Sequence, residues 1–438
     1  MTTDTLIQLG QIRSGQYNDW HPLLHTYYLK ALSAQPFGIQ LAAWIQAGLF
    51  AAVVSACLTA LEGLRPPPAA RAVAILLFLL QPLHAIYAVT LWKDIPFSLA
   101  VLVLVALFVR MAWSRGAWLG GWKNPAILAV TLVAVALLRH NGLITAALAM
   151  LSLFLFFPRR WKRLALVLLA AAALTGAFKA HAVRRSAEPL PFPAFQYLSF
   201  HHFSAVAAQS GTITDKQWAF LEGIHHREYW VKQYSPYDGT ALVTVNSLAL
   251  MKTNARELRK IWFEVAMANK ALLARHTLKA ASILWKFTPP ENSYFFCYYD
   301  GITENDLGLK SETKLPRLRP LVNEFGYRLL EPGLSWIFFR PALPLYLILF
   351  LVLLTALRHR SPLLLLPLMP LLGHAAGLFI SCPVQDTRYF YPILLSLPLI
   401  ALSCLLPERP PAAPPEPPVE SRRRWKGPFF RPGHPRGF

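Results

Sequence analysis

Charge is what this chain has least of. Only 15% of its 438 residues are Asp, Glu, Lys or Arg, while 55% are hydrophobic. Soluble domains carry about 25% charged residues. Together with a mean hydropathy of +0.38, the deficit excludes an ordinary soluble domain and indicates a polytopic membrane protein. Acidic residues are the scarcer sign, 22 against 43 basic, for a net charge of +21. In a soluble protein that balance would suggest nucleic acid. No zinc-finger spacing, RNP-like motif or basic helix with interleaved aromatics occurs, so nucleic acid is set aside as a partner. Cysteine is limited to Cys57, Cys297, Cys382 and Cys404, with no CxxC and no metal-ligand spacing. A glycine-rich phosphate loop is also missing, which leaves an ATP-driven transporter without support.

Long apolar runs are what the chain has instead. A bilayer-spanning helix takes roughly 17–25 mostly apolar residues. Such segments lie near 37–61, 72–90, 95–112, 124–140, 142–158, 164–181, 341–357, 362–381 and 390–406. The expected fold is therefore all-α, with about nine transmembrane helices.

Lys and Arg orient the segments, because they are retained on the cytoplasmic side. Eighteen of them fall in alternate loops and the tail: Arg65 and Arg71; Arg110, Arg115 and Lys123; Arg159, Arg160, Lys162 and Arg163; Arg358 and Arg360; and seven from Arg409 to Arg436. The opposite short segments hold five: Arg13, Lys30, Lys93, Arg139 and Arg388. The expectation is an outer N-terminal segment and an inner tail. A polar N-terminus of that kind has no signal peptide or preceding span to carry it across. A tenth span before Met1 is therefore expected in the natural protein.

Five regions follow. Residues 1–36 form a first outer loop, and 37–181 a bundle of about six spans. Residues 182–340 form a mainly helical extracytoplasmic domain, 341–406 a further three spans, and 407–438 a proline-rich, basic, disordered cytoplasmic tail. The domain carries 14 of the 22 acidic residues. Thr214 to Gln217 reads as a capping box, and 255–287 as a long helical stretch ended by Pro289 and Pro290. Cys297 and Cys382 both fall on the outer side, where two free thiols are favoured over a bridge.

Outside the domain and the tail only Asp4, Asp19, Glu62, Asp94 and Asp386 are acidic. All but Glu62 fall on the outer side. A carboxylate close to hydrocarbon is costly and marks a functional site by default. Lys93, Arg139 and Arg388 share that side, and Arg suits bidentate contact with phosphate. The pattern predicts a site assembled from several loops at one membrane face, with carboxylates for acid–base work and cations for an anionic headgroup. Each residue also has a plainer role. Asp19 could cap the helix starting at HPLLH, Asp94 could pair with its neighbour Lys93, and Asp386 could pair with Arg388 across a turn. His21 and His25 stand i,i+4, a spacing that permits a metal, but no third ligand is evident and a polar interfacial face is favoured. The pairs His201-His202 and His225-His226 follow no spacing rule that assigns them a role.

With those residues in hand, the chain resembles the GT-C superfamily of membrane glycosyltransferases, and within it the protein O-mannosyltransferase and lipid A aminoarabinose-transferase branch. In that family a first outer loop carries an Asp, followed by a proline-bearing start of a helix that lies along the membrane. Asp4 in DTLIQ followed by HPLLHTYYLKAL is similar to this. A second outer loop carries another Asp ahead of a span, as Asp94 does in LWKDIPFSLA. RHNG (139–142) and DTRYFYP ahead of the last span also look like bacterial members. The likeness extends over roughly residues 1–180 and 340–406, and 182–340 matches in position only.

The resemblance implies an inverting transfer of a sugar from a polyprenyl-phosphate carrier to an acceptor at the outer face of the cytoplasmic membrane. Asp4 would be the general base, with Asp94 orienting the acceptor or assisting a metal. Lys93, Arg139 and Arg388 would bind the lipid phosphate, and Asp19, His21, His25, Asn141 and Asp386 would contact the acceptor or support the site. A lipid, polysaccharide or protein acceptor is compatible with this. No cofactor is required, and the family includes members with and without a divalent metal. Two alternatives stay open. An O-antigen ligase or polymerase-like enzyme would rely on large-loop residues such as His225 or Arg227. A non-enzymatic transporter or flippase would show helices broken at mid-membrane around Pro82 or Pro370.

Overall fold

When water is absent, runs of Leu, Val, Ala and Phe satisfy their backbone either within a helix or in a closed barrel, and helices are what they form here. The structure, a computed structural model, describes residues 2–35, 37–184, 193–291, 301–313 and 315–407. These fold as α1 (Thr3–Ser14), α2 (Leu23–Ser33), α3 (Gly38–Glu62), α4 (Pro68–Leu80), α5 (Pro82–Val89), α6 (Asp94–Trp113), α7 (Lys123–Leu138), α8 (Gly142–Phe156), α9 (Trp161–Arg184) and α10 (Pro193–Ala208). There follow α11 (Asp215–Glu222), α12 (Arg227–Lys232), α13 (Val245–Ala268), α14 (Lys270–Ala280), α15 (Arg319–Leu330), α16 (Pro332–Phe338), α17 (Ala342–Arg358), α18 (Met369–Ser381) and α19 (Tyr391–Cys404). No β-strand occurs among the described residues, only an isolated bridge between Asp238 and Val384.

Among the described residues, six helical stretches are long and apolar enough to cross a membrane: Gly38–Glu62, Asp94–Trp113, Pro158–Arg184, Gly333–Arg358, Pro362–Ser381 and Thr387–Cys404. The other three expected segments are helical but differ in form. The 72–90 segment is two helices bent by 60° at Gln81-Pro82, where proline removes a ladder donor and clashes with the preceding turn. With that bent pair as one span the count is seven. α7 and α8 are apolar but short, about 24 Å and 23 Å at 1.5 Å per residue against a hydrocarbon core of about 30 Å.

α6 is the axis of the bundle. Seventeen of its residues are buried, and it packs on α3, α7 and α19. A helix apolar all round belongs inside. Other helices of the bundle instead turn large apolar side chains outward: Trp44 and Leu49 on α3, Leu79 and Leu80 on α4, Leu155 on α8, Phe350 and Leu357 on α17. Such a belt belongs to hydrocarbon rather than water.

Residues 1–36 are more ordered than a loop, since α1 and α2 fill most of them. Thr5 donates to the Leu91 carbonyl at 2.7 Å, and Gln8 bridges the Thr26 hydroxyl and the His25 ring. These bonds dock α1 on α2 and on the turn before α6. The region 193–273 has its own core around Phe200, Phe203, Trp230 and Ile261, yet it belongs to one compact unit, Met1–Leu406, with the bundle. The capping box forms at Thr214 as the sequence predicts. The 255–287 stretch is interrupted by a break at Asn269, and α13, which carries its first part, starts earlier, at Val245, with a kink at Asn254. At the break the Asn269 side chain ties the helix to Thr212, accepting from Thr212 N and donating to Thr212 O, and also donates to Val265 O. Gly239 N donates to Pro383 O, and Gln385 N donates to Tyr237 O. This pairing joins the helical region to the segment before α19. Cys297 and the tail from 408 lie outside the described residues.

Candidate active site

Asp4 is the meeting point of three chain segments. Its Oδ2 accepts from Lys93 Nζ at 2.8 Å and from Arg388 Nη1 at 3.0 Å. Residues 4, 93 and 388 come from α1, the turn before α6 and the turn before α19. Lys93 Nζ also stands 3.2 Å from His21 Nδ1. Arg388 Nε lies 2.8 Å from Asp386 Oδ2, while Asp386 Oδ1 accepts from the Arg388 backbone N–H at 2.9 Å. The Arg388 guanidinium sits over the Trp92 and Tyr389 rings, 4.9 Å from each centroid.

A second pair lies deeper. Asp94, fully buried at the start of α6, is 2.5 Å from Arg139 Nη1. The charges touch, but neither Asp94 oxygen has an aligned hydrogen-bond donor among the described groups. Arg139 is held from its open side by the Tyr389 ring, 4.3 Å from the centroid. The tight α7–α8 turn aims Arg139 inward and depends on Gly142. A Cβ there would fall 1.9 Å from the Val135 carbonyl oxygen, so only glycine fits.

The cluster surrounds a cavity of about 210 Å³. Asp4, His21, Lys93, Arg139, Asn141 and Arg388 line it, with Trp20, His140, Tyr197, Thr240 and Tyr389. A second cavity of about 220 Å³ shares Pro22 and His140 with the first. Its walls are Leu23, Ala136, Leu137, Phe178, Ala182 and Val183, with Asp19 and Lys179 as its charged residues.

Charge and burial set the protonation states. Burial by itself would raise the Asp4 carboxyl, but Lys93 and Arg388 outweigh it and hold it well below the usual carboxylate range. Asp386 goes the other way: burial pushes it up to about 6 despite Arg388. Burial, reinforced by Lys93, lowers His21 and His25 to about 3, so both rings are neutral at physiological pH.

The geometry corrects several expectations from the sequence. Lys93 does not pair with its neighbour Asp94; it reaches Asp4, and Asp94 pairs with Arg139. Successive side chains at a helix start point different ways, so adjacency is no guide there. Asp94 does not face the cavity, because it is sealed beneath Arg139. Asp19 caps no helix. Pro22 occupies the N-cap of α2, no side chain bonds there, and Asp19 lines the second cavity. His21 and His25 do not share one helix face: His21 precedes α2 and meets Lys93, whereas His25 bonds Gln8 at 2.9 Å. Among the described residues no group of three His, Cys, Asp or Glu side chains could hold a metal ion. The Asp386–Arg388 pair forms as expected.

Sequence reasoning missed Tyr389, Tyr197, His140 and Thr240. Tyr389 had a signal, since it adjoins Arg388 and aromatic faces hold guanidinium groups. Tyr197 and Thr240 had none, because the pairing around Pro383 that places them here spans more than 140 residues. Comparison with protein-family models, curated proteins and solved structures finds no match.

Proposed function

We propose that this chain is an inverting glycosyltransferase that moves a sugar from a polyprenyl-phosphate carrier to an acceptor at the outer face of the cytoplasmic membrane. The observation that supports it most is the carboxylate of Asp4 at the wall of a cavity that Lys93, Arg139 and Arg388 also line. One acceptor for a proton and three cations for a leaving phosphate are the groups such a transfer needs.

In this reading the carrier phosphate enters between Lys93 and Arg388 and competes with Asp4 for them. A carboxylate held by two cations is a weak base, so drawing them away raises its basicity. Asp4 then takes the proton of the acceptor hydroxyl or amine. The freed electron pair forms the bond to the anomeric carbon, the carbon–oxygen bond to phosphate breaks, and polyprenyl phosphate leaves with its charge on Lys93, Arg388 and Arg139. Asp94 acts indirectly, by fixing Arg139. Tyr197 and Thr240 bring the helical region to the cavity rim, where it can sort acceptors.

The bend at Pro82 favours the transporter reading, which expects broken spans. Its surroundings weigh against that. The break is flanked by Gln81, whose side chain accepts from Leu83 N, and by His84, which bonds the Tyr391 hydroxyl at 2.8 Å. The chain carries no Asp, Glu, Lys or Arg between Arg71 and Lys93 to offer a cargo there. His225 and Arg227, on which the ligase-like reading depends, are engaged elsewhere: His225 with the Leu242 carbonyl, Arg227 with Glu222. Neither lines the cavity. The test is reconstitution with radiolabelled polyprenyl-phosphate sugars. Asp4→Asn should lower transfer by about 100-fold or more, the scale of a lost general base. Transfer from no donor, or sugar–lipid movement without transfer, would reject the proposal.

A further inference from the structure

α15 has an exposed apolar face. Leu318, Leu321, Val322 and Phe325 are each more than half exposed. At 100° per residue they form one stripe with Leu329, and Leu329 is buried in the main core. One end of the stripe is therefore anchored on the protein and the other is open. Arg319 and Arg328 fall on its two flanks, where long cationic side chains can keep an apolar face in lipid and their heads in water. Arg328 is steadied by Glu324 at 2.8 Å, one turn back.

What adjoins this stripe is the surface already assigned to hydrocarbon. α15 runs into α16, which opens the apolar stretch Gly333–Arg358. Farther along that stretch Leu347, Phe350, Leu354 and Leu357 face outward at helical spacing. Where it begins, aromatic side chains gather. Phe287 stands 5.9 Å from Trp336 and 5.5 Å from Tyr346, centroid to centroid, and the Tyr346 hydroxyl donates to the Trp285 carbonyl. Trp and Tyr with one apolar and one hydrogen-bonded end mark the headgroup level of a bilayer.

We propose that α15 is an interfacial helix, its Leu318–Phe325 face seated at the boundary between headgroups and acyl chains of the membrane that α17 crosses. The occupant is phospholipid, chosen by continuity with the lipid-facing side of α17 and by the aromatic cluster between them. This rests on the fold alone and stands whether or not the chain transfers sugar. Its consequence is positional. Residues 301–313 precede α15, and Arg13 of α1 donates to the Asp306 carbonyl at 3.4 Å. A helix fixed in the bilayer surface therefore anchors the strand of chain that passes over the helix bearing Asp4.

The experiment is photocrosslinking of the full chain in vesicles of phosphatidylethanolamine and phosphatidylglycerol. A p-benzoylphenylalanine replaces Val322, Phe325, Glu324 or Leu353 in turn. All four side chains are exposed, so the replacements leave packing intact. Mass spectrometry should find phospholipid adducts at 322 and 325, as at the lipid-facing control 353, and none at 324. Adducts at 353 but not at 322 or 325 would overturn the proposal. So would adducts from 322 and 325 to a second copy of the chain, which would assign the face to self-association.

Discussion

The two ends of the bundle carry the same kinds of ion pair under opposite conditions. Arg71 and Glu62 meet at 3.5 Å with about half of each side chain exposed (43% and 53%). At the other end Asp94 and Arg139 meet at 2.5 Å with 0% and 9% exposed, and Asp4 joins Lys93 and Arg388 nearly as deep. Solvent screens the first pair, which is worth little, about 0–1 kcal/mol. The buried set loses hydration and gains no comparable stability from pairing. Charges kept in that position are explained better by what they do than by what they hold together.

Breaking one member on each side makes the contrast measurable. Asp94→Asn leaves Arg139 buried without a counter-charge and should destabilise the chain by about 3–5 kcal/mol, read as a drop in thermal midpoint in detergent. Glu62→Gln should cost no more than about 1 kcal/mol on the same scale. Equal effects would erase the distinction between the ends. Gly142→Ala should act through Arg139: the new Cβ collides with Val135 O, opens the α7–α8 turn, and costs about 1–3 kcal/mol as an overpacked site. Its binding of a short-chain polyprenyl phosphate should weaken as well, which isothermal titration can show.

Asp386 gives a pH-dependent form of the same comparison. With its carboxyl pushed up to about 6, it is charged above that pH and neutral below it. Lowering the pH through 6 removes a negative charge from beside Arg388, so polyprenyl phosphate should bind roughly three- to tenfold more tightly. Asp386→Asn should bind tightly at both pH values. The stability sign agrees: between about 4 and 6 the folded state holds a proton that the unfolded chain has lost, so the residue's contribution rises as pH falls through that window. His21 and His25, lowered to about 3, stay neutral and do not contribute. The smallest effect is expected from Arg71→Gln, within about 1 kcal/mol in stability and neutral in phosphate binding.

Much of this arrangement was readable from particular residues. The apolar runs located the helices, because length and hydropathy are local properties. The scarcity of acids pointed to Asp4, Asp94 and Asp386, and all three are in the charge cluster. Pairing was not legible. Whether Lys93 turns to Asp94 or to Asp4 depends on how α1 docks, and that is fixed by Thr5 on Leu91 O and Gln8 on α2. The capping role open to Asp19 fails because Pro22 takes the cap position that the composition of NDWHP suggests for it. The bend at Pro82 and the shortness of α7 and α8 leave no mark in apolar composition, which is continuous through each of them. Tyr197 and Thr240 could not have been found, since contacts between distant segments place them.

The most direct test of the central claim compares single-turnover transfer from a radiolabelled polyprenyl-phosphate sugar by the native chain, Asp4→Asn and Asp4→Glu in vesicles. Asp4 as the base predicts transfer by the native chain, a loss of about 100-fold or more in the Asn variant and partial recovery in the Glu variant, with carrier binding retained in all three. Undiminished transfer by Asp4→Asn would contradict the account.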